Sequence, residues 1–120
     1  MKRTPIALGV ALLSALFLNT AVFAQEAKKE ETGKDISFNR SKGNCLACHA
    51  MPTVPDAEQP GNSGPPLIAM KDRFPDKKVL RAKIWDATAS NPASYMPPMG
   101  KHKILSEQEI DKVVDFVYGL

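Results

Sequence analysis

Five consecutive residues, Cys45-Leu46-Ala47-Cys48-His49, concentrate the reactive side chains of this sequence. Two thiols three positions apart lie on one side of a helical turn, where both can add to the two vinyl groups on one edge of a haem. The next residue then falls beneath the iron, and His49 offers an imidazole nitrogen as an axial ligand. The pattern predicts one covalently attached c-type haem, with Cys45 and Cys48 as attachment points and His49 as a metal ligand. The competing uses of a cysteine pair are weaker. A redox-active pair would sit in a βαβ context that is absent, and a zinc site would need two further ligands where the chain offers only His102 and carboxylates. A disulfide suits an exported chain, but the adjoining histidine favours haem.

A second axial ligand must come from elsewhere, and the candidates are Met51, Met70, Met96, Met99 and His102. Met51 lies too close to His49 to reach the other face of the ring, and Met70 suits an apolar core. Of the remaining three, Met96 is favoured. It stands before Pro97-Pro98, where consecutive prolines stiffen the chain and steer the preceding residue away from helix, so that a loop can hold sulfur against iron. Met99 reads otherwise as crevice wall and His102 as a solvated or propionate-facing side chain. An axial histidine usually donates its remaining N–H to a carbonyl. Gly64-Pro65-Pro66-Leu67 is suited to presenting one, and the carbonyl of Pro65 is the predicted acceptor.

These residues need an export route and a scaffold. Lys2 and Arg3 precede an apolar run from about Ile6 to Leu18, and small residues reach Ala24 before a charged stretch begins. That order predicts a signal peptide over residues 1–24, cleaved after Ala24, rather than an uncleaved anchor. Periplasmic export agrees with covalent haem attachment, which occurs outside the cytoplasm. Removing this segment takes two of the sixteen Lys and Arg and none of the thirteen Asp and Glu, leaving a formal charge of +1 on 96 residues. So small a charge gives no support to nucleic-acid binding. A domain below about 100 residues buries little surface and needs a staple, a role that haem would fill.

Residues 25–34 are charged and aperiodic, and they read as a flexible lead-in to a domain over residues 35–120. Asp35 is the predicted cap of a first helix running to about Lys42, with Gly43 as its stop. Prolines and glycines between Met51 and Pro66 predict a loop. Leu67 to Lys71 reads as a short helical turn, and Asp76 to about Thr88 as a helix with Leu80, Ile84 and Ala87 on one stripe. Trp85 on that helix reads mainly as a packing residue. Ser106 and Glu109 have the capping-box spacing ahead of Ile110, Val113, Val114 and Val117 at helical intervals. No alternating strand pattern occurs. The fold class is all-α, three to four helices with long loops.

The order of haem motif, Gly64-Pro65-Pro66-Leu67, Met96-Pro97 and a terminal amphipathic helix resembles the class I cytochromes c. A narrower resemblance, to the SoxX sulfur-oxidation cytochromes, rests on four stretches. They are Ser41 through His49, Arg73-Phe74-Pro75-Asp76-Lys77, Ile84-Trp85-Asp86-Ala87-Thr88 and Met96 through Leu105, followed by the Glu109 to Phe116 helix. That resemblance implies a periplasmic electron-transfer subunit paired with a SoxA-like haem protein and delivering electrons to a downstream acceptor. The pair would form an L-cysteine S-thiosulfotransferase that acts on thiosulfate, with the sulfur chemistry at the partner's haem. It also carries the haem ligands onto Cys45, Cys48, His49 and Met96. The alternatives are a free periplasmic shuttle to an oxidase or reductase, and a sensor or enzyme with an open iron position, which a methionine ligand disfavours.

Replacing both Cys45 and Cys48 by alanine should abolish covalent haem, because no other thiol exists in the chain. Haem-stained denaturing gels read this directly, and undiminished stain in the double variant would refute attachment at these residues.

Overall fold

The computed structural model describes residues 29–120, so the predicted signal peptide and its cleavage site lie outside the described residues. Among the described residues four α-helices form: α1 (Gly33–Phe38), α2 (Met70–Arg73), α3 (Lys77–Trp85) and α4 (Glu107–Tyr118). Two 3₁₀ turns, Cys45–Ala47 and Ala87–Ala89, accompany them, and no strand occurs among the described residues. The all-α fold is as the sequence pattern requires.

Helix α4 is the centre of the domain, with α1, α2 and α3 all resting on it. Its capping box is complete, the Ser106 hydroxyl accepting from the Glu109 N–H and the Glu109 carboxylate accepting from the Ser106 N–H at 2.8 Å. Ile110, Val113, Val114 and Val117 are all buried, which makes the apolar stripe of α4 the floor of the core. Ile36 of α1, Leu80 and Ile84 of α3, and Met70 of α2 complete one continuous cluster with it. Gly33 lets α1 approach closely. A Cβ there would lie 2.0 Å from the carbonyl oxygen of Lys112.

Several helix boundaries differ from those the sequence predicts. The cap of α1 is Thr32, not Asp35, and Asp35 closes a capping box from inside the first turn. The helix ends at Phe38 because the Asn39 side chain takes the Ser41 N–H at 2.9 Å and turns the chain. Gly43 is therefore no helix stop; it folds back so that its N–H reaches the Ile36 carbonyl at 3.2 Å. Helix α1 thus starts at Gly33, ahead of Asp35. Lys42 bonds both Glu31 and Glu109, and Lys112 bonds Glu30 and the Glu31 carbonyl, tying the predicted lead-in to α4.

Helix α2 starts at Met70, three residues later than predicted, because Ala69 ahead of it turns the chain through a left-handed conformation at φ 51°. Asp76 caps α3 by accepting from the Lys78 N–H at 2.8 Å. The helix ends at Trp85, not Thr88, because the extended Asp86 starts a new turn and accepts from the Thr88 N–H at 3.0 Å.

Two carboxylates hold these joints as anions. Lys101, 2.8 Å away, and the Thr88 hydroxyl lower the pKa of the nearly buried Asp86 to about 2. Lys42, at 2.7 Å, and the Ser106 N–H lower that of Glu109 to about 2. A depressed folded-state pKa adds stability above the ordinary carboxylate values of 3.8 and 4.5, and that stability is lost as pH falls toward 2. Thermal melts of the holoprotein should thus give a midpoint that holds steady from pH 7 to about 5 and falls below about 4.5. Glu109→Gln should flatten that acid limb. An unchanged limb in the variant would show that Glu109 contributes nothing to it.

Candidate functional site

Asn44, in a left-handed conformation at φ 46°, sends the chain into the Cys45–Ala47 turn. The His49 N–H closes that turn onto the Cys45 carbonyl at 2.9 Å, which places both thiols and the imidazole along one cavity wall. Both cysteines are free and half-buried. Burial pushes the Cys45 thiol pKa up, against a smaller opposing effect of the Ser37 hydroxyl.

The 61–67 loop is laced to this segment by three backbone bonds. Gly61 donates to Leu46 at 2.9 Å, Gly64 to Cys48 at 2.8 Å and Leu67 to Ala50 at 2.8 Å. Their effect is to lay the Gly-Pro-Pro turn against His49, whose Nδ1 lies 2.6 Å from the Pro65 carbonyl oxygen. A carbonyl can only accept, so Nδ1 carries the proton and the Nε2 lone pair is left for a metal. Gly64 is required by the approach itself: a Cβ there would stand 2.4 Å from Cε1 of the His49 ring.

The cavity holds about 640 Å³. Its walls join the haem-motif turn to side chains of α2, α3, α4 and the 93–105 loop. Met96 and Met99 both line it, Met96 half-buried and Met99 buried, whereas His102 is exposed and outside it. Met51 is buried in the core away from the cavity, and Met70 is both buried and part of the cavity wall. Trp85 does not line the cavity. It packs on Gly100, where a Cβ would meet the indole at 2.1 Å, and Arg81 lies over its ring at 5.6 Å.

The charges on the wall are of one sign. Arg40, Lys42, Arg73 and Lys83 line the cavity and no Asp or Glu does. An apolar slot with thiols, an imidazole, thioether sulfurs and cations fits a flat, iron-bearing macrocycle that carries carboxylate groups. The four cations were not legible as a group in the sequence, since they come from separate elements and no local motif joins them.

Fold and site together define a c-type cytochrome domain, the class that transfers electrons with haem c. The chain belongs to the family described as "Cytochrome C oxidase, cbb3-type, subunit III", whose profile matches residues 31–117. It is also similar to a chain in the crystal structure of SoxXA from P. pantotrophus, at 29% identity and a TM-score of 0.65. That match covers 72% of this chain and 77% of the other. A further relative is an uncharacterized lipoprotein of Aquifex aeolicus (strain VF5), 32% identical over 77 residues. They span 64% of this chain but 36% of the relative, so the present chain corresponds to about a third of that protein. Family and structural likeness agree on a SoxX-like class I cytochrome.

Proposed function

We propose that this chain is a periplasmic mono-haem cytochrome acting as the electron-transfer subunit of a thiosulfate-oxidising complex, held by a SoxA-like haem partner. The observation that carries the haem assignment is the convergence of Cys45, Cys48, His49 and Met96 on one cavity, with the His49 Nδ1–H engaged by Pro65. Likeness to the SoxXA chain supports the choice of complex. A bound haem supplies reversible one-electron storage. Cys45 and Cys48 would tether it, and His49 would ligate its iron through Nε2 in the tautomer that Pro65 selects. Met96 would supply the second ligand from a loop stiffened by Pro97 and Pro98. Catalysis of sulfur transfer is assigned to the partner. The predicted signal peptide and the lipoprotein relative support a place outside the cytoplasm. The family's naming for an oxidase subunit favours, as second reading, a free shuttle that delivers electrons to an oxidase.

Met96→Ala should keep covalent haem, abolish the weak near-infrared band of sulfur-to-ferric-iron charge transfer, and let carbon monoxide bind the reduced protein. The reduction potential should fall, because a thioether favours ferrous iron. Met99→Ala should leave the band in place. Loss of the band in the Met99 variant alone would move the ligand to Met99, and a spectrum altered by His102→Ala alone would mean two histidine ligands.

The choice of complex is tested by affinity purification from the native periplasm. A second, distinct haem protein should accompany the chain in stoichiometric amount. Its consistent absence would overturn the subunit reading and leave the shuttle.

A further inference from the structure

Pro65 and Pro66 have no N–H to donate, and both are exposed, so between the Gly64 and Leu67 N–H groups that pin the two ends of the turn, the prolines themselves are held through their carbonyls. The Pro65 oxygen meets His49 Nδ1 at 2.6 Å, and the Pro66 oxygen accepts from Arg73 Nη1 at 2.7 Å. The same Nη1 lies 3.3 Å from Sδ of Met70, a buried residue of the cavity wall, and the Arg73 N–H reaches the Ala69 carbonyl at 3.1 Å. Arg73 is thereby fixed at both ends, by its backbone in α2 and by its guanidinium on the turn.

We propose that Arg73 is a positioning residue for the axial histidine, setting the strength of the His49–Pro65 hydrogen bond by clamping the next carbonyl along the chain. The proposal rests on His49 being the iron ligand. A strong bond at Nδ1 makes the imidazole a better electron donor, which stabilises ferric iron and lowers the reduction potential. Loosening the clamp weakens that bond and raises the potential. Loss of a nearby positive charge does the opposite, because a cation disfavours the more positively charged ferric state. The sign of the shift therefore separates positioning from charge.

The test uses the ferric and ferrous holoprotein with Arg73→Met and Arg73→Lys. Positioning requires that Arg73→Met raise the potential and speed solvent exchange of the His49 Nδ1 proton, followed by NMR, by at least about threefold, the effect of losing one modest hydrogen bond. Arg73→Lys, which keeps a long donor, should return both toward the parent values. A fall in potential with unchanged exchange would mean that the guanidinium acts by charge alone, and no change in either would mean that it does not act; both overturn the proposal. Should Arg73→Met fail to accumulate as holoprotein, Arg73→Gln, two bonds shorter and still polar, is judged by the same two signs. A parent protein without hyperfine-shifted His49 ring resonances would instead refute His49 ligation, a failure distinct from that of the clamp.

Discussion

The constraint on which the structure depends is that its apolar core and its cavity share the same walls. Met70, Leu80, Ile84, Met99, Val113 and Val117 belong to the buried cluster and also line the 640 Å³ cavity. A prosthetic group in that space is thus part of the core rather than a passenger on it.

The loops of the cavity wall are held by backbone hydrogen bonds as well as by buried residues such as Leu67, Met99 and Leu105. The 46–50 and 61–67 segments are joined by backbone donors from Gly61, Gly64 and Leu67, and the prolines between contribute acceptors alone. This division matters for the histidine. A turn able only to accept fixes the imidazole tautomer, since Nδ1 must be the donor and Nε2 must face the cavity. Glycine at position 64 removes the atom that would otherwise collide with the ring. Backbone geometry in one loop thereby decides the chemistry available at the other.

Charge is distributed by the same economy. Carboxylates are kept at the joints, where Glu109 and Asp86 pair with Lys42 and Lys101, and where Glu30 and Glu31 tie the first residues of the domain to Lys112 and Lys42. The cavity wall has cations only. Lys42 among them is already paired with Glu31 and Glu109, so Arg40, Arg73 and Lys83 are the wall cations left to face a group bearing carboxylates, a grouping that net charge alone would not reveal.

The cofactor class was legible in sequence because its determinants are local. Cys45, Cys48 and His49 sit within five residues, and the capping box and stripe of α4 repeat at intervals that the helix itself sets. The Pro65 contact was legible for a related reason, a Gly-Pro turn being restricted to few conformations. Helix boundaries were less so. Thr32 displaced Asp35 as cap, and the 30–34 segment joined the fold, through ion pairs with Lys42 and Lys112, as distant in sequence as Glu30 from Lys112. Which methionines reach the cavity, that His102 does not, and that Arg40, Lys42, Arg73 and Lys83 share one wall were decided only by tertiary structure. Local periodicity and turn chemistry act over a few residues, whereas a cavity wall is assembled from elements whose distances only the folded chain sets.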